Sequence, residues 1–193
     1  MNLLLRLAMV LLGAPRRSRL DLLAASSLPM RVWPTDLDVQ MHMNNGRYLS
    51  LMDLGRIDLL VRSGFWREAR LRAWFPLVGA SAIEYRRPLR VFERYQLTTR
   101  LLGWDERWFY VEQSFRQGDR VAAVATVKAM IRSASGTVPP LEALAAVGVS
   151  GPSPGLPEHA ALLARARPRG TGADPRAIRP GLRPDGRGPE VAG

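Results

Sequence analysis

The stretch Trp33-Pro34-Thr35-Asp36-Leu37-Asp38-Val39-Gln40-Met41-His42-Met43-Asn44-Asn45-Gly46-Arg47-Tyr48 decides how this chain is read. Its first part, Pro34 to Asn45, has no clean hydrophobic period and is expected to be a loop. From Gly46 the pattern changes to that of a helix running to Arg62. Asn44 or Asn45 is placed to cap its start and Ser63-Gly64 to stop it. Tyr48, Leu49, Leu51, Met52, Leu54, Ile57, Leu59, Leu60 and Val61 cover most of its circumference, so the helix should be buried. Asp53, Arg56, Asp58 and Arg62 bring opposite charges to helical spacing on it.

Outward from the helix the period becomes two. Leu28 to Trp33 reads as a short strand before the loop. After the helix come runs at Leu77–Arg87, Tyr95–Trp104, Trp108–Phe115 and Arg120–Arg132. Tyr95, Leu97, Thr99 and Leu101 alternate, as do Phe109, Val111 and Gln113, and Val121, Ala123, Ala125 and Val127. Gly103-Trp104-Asp105-Glu106 and Gln117-Gly118-Asp119 are turn-like, which pairs these runs as antiparallel hairpins. Strand, buried helix, then long antiparallel strands is the order of an α+β domain in which one sheet wraps one helix. The sheet keeps a free edge, which a second subunit commonly covers.

The chain has 193 residues, 47% of them hydrophobic, enough for one cored domain with additions at each end. A body at 28–149 is expected, preceded by an amphipathic segment at 1–27 and followed by a Pro/Gly/Arg-rich tail at 150–193. In that tail only Glu158 to Arg165 has the pattern of two helical turns; the rest should be disordered. The apolar run Leu3 to Leu12 contains Arg6 and is too short to span a bilayer. It is expected to lie on the body or on a membrane surface in a cytoplasmic, or membrane-associated, protein. The formal net charge of +11 comes almost wholly from arginine. A solvated basic surface accounts for it better than a nucleic-acid groove, and no nucleic-acid partner is expected. The chain has no cysteine, which excludes disulfides and thiolate chemistry, and with only His42 and His159 no metal site is expected.

The loop before the helix holds the parts that an activated ester needs. A helix start offers free backbone N–H groups and the positive end of its dipole, which suit an oxyanion. A nearby carboxylate can activate water or attack directly. Plainer roles compete residue by residue. Asn44 and Asn45 can simply cap the helix, His42 can be a satisfied core histidine, and Asp36 and Asp38 can be ordinary loop acids.

Asp36-Leu37-Asp38, Met41-His42-Met43-Asn44-Asn45, Tyr48 and Asp53-Leu54-Gly55-Arg56 resemble, in order and spacing, a pattern of the 4-hydroxybenzoyl-CoA thioesterase branch of the hotdog superfamily. That pattern is Asp-x-Asp, Gly-His-Val-Asn-Asn, Tyr and Glu-x-Ala-Arg. The resemblance extends from Leu28 to Val138. Trp33 to Arg56, together with Arg100-Leu101-Leu102-Gly103-Trp104-Asp105, is similar more narrowly to the thioesterase superfamily member six-like proteins and their bacterial relatives. The resemblance implies a hotdog fold, about five antiparallel strands around one long helix, in a homodimer or dimer of dimers. It implies Asp38 as the catalytic carboxylate, with His42, Asn44 and Asn45 shaping the site and Tyr48 lining it; a thioester carbonyl is then expected to point at the N–H groups near Asn45-Gly46. Asp53 is the second candidate acid, although pairing with Arg56 suits it better. Met41 stands where the pattern has glycine, so the backbone there lacks glycine's freedom. Met52, Phe65, Trp66 and Trp74 are candidate liners of an acyl slot. Arg86, Arg87, Arg90 and Arg94 are candidates for phosphates. The substrate implied is an acyl-CoA or acyl carrier protein thioester, with no cofactor beyond the coenzyme A it carries. An enoyl-CoA hydratase using Asp38 and His42, and a non-catalytic acyl-binding or scaffold protein, stay open as alternatives.

Overall fold

The protein is described by a computed structural model covering residues 3–166. Its elements follow in the order α1 (Leu3–Gly13), β1 (Ser26–Arg31), α2 (Asn45–Arg62), α3 (Phe65–Leu71), β2 (Phe75–Tyr85), β3 (Arg94–Trp104), β4 (Phe109–Gln117), β5 (Arg120–Ser133), β6 (Gly136–Val138), α4 (Pro140–Ala145) and α5 (Glu158–Arg165). The strands form one antiparallel sheet in the order β1-β3-β4-β5-β2, with β6 paired to the end of β5. The expected α+β architecture and hotdog arrangement are thus present: a curled sheet with one long helix, α2, against its inner face.

The period-two patterns explain which side chains face α2. Tyr95, Leu97, Thr99 and Leu101 on β3, Phe109, Val111, Gln113 and Phe115 on β4, and Ala123, Ala125, Val127 and Ile131 on β5 are all buried. Against them α2 buries Tyr48, Leu51, Met52, Leu54 and Leu59. The helix approaches most closely at Gly55. A Cβ there would stand 2.6 Å from Thr99 Oγ1 and 2.9 Å from Gln113 Nε2. Beneath it, Gln113 Nε2 donates to Met52 O and Thr99 Oγ1, each at 2.9 Å, and Arg56 Nη1 donates to Gln113 Oε1 at 2.6 Å. Every polar atom of this buried amide is therefore used, as burial requires.

Of the two placements expected for the N-terminal segment, the one on the body is present, held by two ion pairs to buried aspartates, while the C-terminal segment differs from expectation. Arg6 of α1 bonds Asp36, and Arg17 bonds Asp58 of α2, which Ser26 and Arg62 also contact. The early part of the Pro/Gly/Arg-rich segment is also packed. Ser153 Oγ accepts the Trp104 N–H at 2.7 Å. The foreseen helix α5 lies on the outer face of the sheet, with Ala160 buried against Leu102 and Tyr110. The remainder of that segment, 167–193, lies outside the described residues. Helices α3 and α4 and strand β6 are three to seven residues long, too short for a periodic signal to mark them.

Candidate active site

Residues 36–44 fold back on themselves as a narrow hairpin. The Asp38 N–H donates to His42 O at 2.9 Å, the Asn44 N–H to Asp36 O at 2.8 Å, and Leu37 bridges Met43. The turn at its tip sets Met41 at φ 61°, the left-handed region where a side chain costs roughly 1–2 kcal/mol. This is the position where the resemblance expects glycine. The Met41 N–H bonds Asp38 O at 3.1 Å and helps hold it there. Val39 and Met41 project into solvent from the tip. The Met43 N–H donates to Leu89 O at 2.8 Å and His42 bridges Arg90, so the hairpin is tied to the segment before β3.

The two aspartates of the loop have opposite environments. Asp36 points inward and is only 1% exposed. Its Oδ2 meets the Arg6 guanidinium and accepts the Trp33 N–H at 2.9 Å; Arg47 Nε stands 3.4 Å from Oδ1. Asp38 is half-buried. Its Oδ1 accepts the N–H of Gln40 at 2.9 Å and of His42 at 3.3 Å. No described residue donates to its Oδ2, which leaves that oxygen available to a water or a carbonyl carbon. The bond to His42 is to its backbone, so Asp38 and the imidazole are not joined as an acid–base pair.

At the helix start, Asn44 is the cap (φ −58°, ψ 138°), and its Oδ1 accepts the Gly46 N–H at 2.8 Å. The Arg47 N–H goes to Asn44 O at 2.9 Å. Of the pair Asn45-Gly46, on which an oxyanion was expected, Gly46 has its N–H occupied. Among the described residues none accepts the N–H of Asn45, which therefore remains the donor. Tyr85 of β2, which the sequence pattern did not single out, donates its hydroxyl to Asn45 O at 3.2 Å. Tyr48 sits beneath, buried, its ring edge-on to Tyr85 at 5.1 Å and to Phe115 at 4.8 Å. Burial pushes its phenol up to about 12. It supports the site from below and does not line a surface.

Other candidates are placed elsewhere. Met52 is fully in the core and does not open on the site. Asp53 is exposed and paired with Arg56. Phe65 lines an apolar cavity of about 70 Å³, along with Leu22, Leu59, Phe109 and Ile131 and the stem of Arg56. Trp66 and Trp74 do not line it. The cavity lies along the later turns of α2, about 20 Å from Asn45 by helix rise. Arg86, Arg87, Arg90 and Arg94 are exposed, and Arg86 pairs with Glu84 at 3.0 Å. Only Arg90 is brought beside the hairpin, through its bridge to His42. Among the described residues no group of three or more His, Asp or Glu could hold a metal ion. The inward-facing Gln113 had left a trace in the sequence, as a polar residue in an apolar register; Asp36 and Tyr85 had not.

Comparison with known proteins agrees with the fold. The profile of the thioesterase-like superfamily matches residues 32–148. Protein THEM6 of Xenopus laevis is 42% identical over 106 residues, covering 54% of this chain and 51% of that protein. Thioesterase lcsJ of Purpureocillium lilacinum is 28% identical over 148 residues, covering 64% of this chain and 48% of that protein. The chain thus spans about half the length of the curated relatives it matches. The structure of a gentisyl-coenzyme A thioesterase superposes with a TM-score of 0.56 at 18% identity, over 62% of this chain and 99% of that one, a likeness of fold. With the profile covering the hairpin, α2 and every strand of the sheet after β1, this chain belongs to the thioesterase-like superfamily.

Proposed function

We propose that this protein hydrolyses an acyl thioester, carried on coenzyme A or on an acyl carrier protein, with Asp38 as the catalytic carboxylate. The observation that carries the proposal is the half-buried Asp38 with one unengaged oxygen, set one hairpin away from the start of α2, in a chain of this superfamily. The thioester carbonyl oxygen takes the Asn45 N–H and the positive end of the α2 dipole. Asp38 removes a proton from water as the water oxygen bonds to the carbonyl carbon. Collapse of the tetrahedral intermediate then breaks the C–S bond, and the proton passes to the leaving thiolate. Direct attack by Asp38, giving an acyl anhydride that water opens, uses the same groups. No cofactor is needed beyond the coenzyme A of the substrate.

A second copy belongs to this proposal. Among the described residues strand β2 has one edge unpaired, and it is half-buried at best, with Phe75, Val78 and Tyr85 exposed. An edge strand of eleven residues with apolar side chains is one that a partner covers. Because Tyr85 reaches Asn45, the partner would stand beside the site and wall the acyl group.

Release of free thiol from a panel of acyl-CoAs tests the proposal, with wild type and Asp38→Asn compared at equal folded content. The variant should lose at least about 100-fold in kcat/KM. Equal turnover by the two proteins would refute the role of Asp38. A non-catalytic acyl-binding protein is the second reading, favoured by one observation: the apolar cavity under Arg56 lies along the later turns of α2 and is not lined by Asp38. It gains if the wild type binds acyl-CoA but releases no thiol.

A further inference from the structure

The polarity of α1 is inverted relative to a helix that faces water. Its one charged residue, Arg6, points inward onto Asp36 and is 2% exposed, with Val10 buried beside it. Its outward residues are all apolar: Leu5 is 54%, Met9 48%, Leu11 38% and Leu12 68% exposed. A surface helix in water turns its charges out and its apolar stripe in. Single exposed leucines need no explanation, but several together on one short helix do.

We propose that this face of α1 docks on an anionic lipid bilayer. Leu5, Met9, Leu11 and Leu12 would enter the boundary between headgroups and acyl chains, and Arg16 and Arg19 would meet lipid phosphates. The proposal goes beyond the thioesterase reading and does not depend on it. Three features select a bilayer as the occupant. First, the charge is complementary. From Leu3 to Leu20 the chain carries Arg6, Arg16, Arg17 and Arg19 and no acidic residue, and Arg16 and Arg19 are exposed just past the helix. A second copy of the same face would oppose arginine to arginine. Second, the eleven described residues of α1 make about 16 Å of helix, shorter than a hydrocarbon core of about 30 Å. Among the described residues no helix is long and apolar enough to cross. It suits a helix lying in the plane of the interface. Third, the face is preformed. The Arg6–Asp36 and Arg17–Asp58 pairs, with Arg62 Nε donating to Ser18 O at 3.0 Å, hold α1 and the segment after it on the body. Binding then orders nothing new. Since Arg6 holds Asp36, whose carbonyl oxygen accepts the Asn44 N–H, the helix that carries this face is joined to the hairpin of the candidate site.

Flotation of the full chain with phosphatidylcholine vesicles, and with vesicles containing phosphatidylglycerol, tests this. Wild type should float with the anionic vesicles, and Leu5→Glu/Leu12→Glu should reduce its partition at least tenfold. Both side chains point away from the body, and circular dichroism checks that the variant folds. Arg16→Glu/Arg19→Glu, outside the helix, should weaken binding to anionic vesicles and leave any binding to neutral ones unchanged. The proposal is overturned if wild type does not float. It is equally overturned if the leucine variant floats as well as wild type, which would assign binding to other basic residues. A change of molecular mass by light scattering in the leucine variant, with vesicle partition unaltered, would assign the face to a second copy.

Discussion

Asp36→Ala is the perturbation with the most to say about how the hairpin is held. The substitution removes a carboxylate that is 1% exposed and leaves the Arg6 guanidinium, 2% exposed, without its counter-charge. Two of the guanidinium nitrogens, Nε and Nη1, already have no hydrogen-bond partner, so no alternative acceptor is at hand. Arg47, more exposed, can turn to water. The Trp33 N–H also loses its acceptor. Breaking a buried pair from one side costs about 3–5 kcal/mol. Total stability of a domain is about 5–15 kcal/mol, so about a fifth or more is lost in one substitution. For a chain of this size the melting temperature should fall by roughly 6–20 °C. Urea or thermal unfolding followed by circular dichroism, at one fixed protein concentration, reads the effect. The double variant Arg6→Met/Asp36→Ala should recover much of the loss, because no unpaired charge is left inside. Asp38→Asn, at the same loop but half-exposed, should change stability by less than about 1 kcal/mol. If Asp36→Ala costs no more than Asp38→Asn, or the double variant is as unstable as the two singles added together, then Arg6–Asp36 is not the clamp described above.

Two further outcomes follow from the packing under α2 and from its aromatic residues. Gly55→Ala should destabilise by about 1–3 kcal/mol, because its Cβ would stand 2.6 Å from Thr99 Oγ1. This outweighs the roughly 1 kcal/mol that alanine gains over glycine in a helix, and a stabilised variant in urea unfolding would refute the close approach. In an alkaline titration followed by phenolate absorbance, the native protein should show almost no ionisation of Tyr48, Tyr95 or Tyr110 at pH 10. Burial raises all three phenols, that of Tyr48 to about 12, and Asp105 raises Tyr110 further. The folded pKa lies above the unfolded one, so the stability these phenols contribute is whole below pH 10 and is lost as the pH rises through about 12. Ionisation of two of the three before the circular dichroism signal changes would refute their burial.

Much of the fold was legible because it rests on periodicity. The alternation of Tyr95, Leu97, Thr99 and Leu101, and of Phe109, Val111 and Gln113, names the inner face of the sheet residue by residue. The near-continuous apolar cover of Gly46–Arg62 marks the helix it wraps. The candidate site was legible to a lesser depth, and the two aspartates show why. Asp36 and Asp38 sit two residues apart in one loop, with no period to tell inside from outside. What separates them is a partner thirty residues upstream: Arg6, which the apolar run around it disguised as a mere interruption. A buried ion pair between distant elements leaves no local mark, because each half alone looks like a solvated charge. The same holds for Tyr85, which meets Asn45 only once the sheet has curled. Cap geometry has the opposite character. Asn44 and Gly46 were both visible as a helix start, yet the bond between them takes away the N–H on which an oxyanion was expected. The local capping rule and the catalytic rule draw on the same backbone donors, and the structure divides them, with Gly46 bound to the cap and Asn45 left open. Among the described residues, the hydrolysis proposed above would draw on one open backbone donor, that of Asn45, and one free oxygen of Asp38. In the proposed reaction that narrow supply would be completed by a second copy at the β2 edge, were one to pair there.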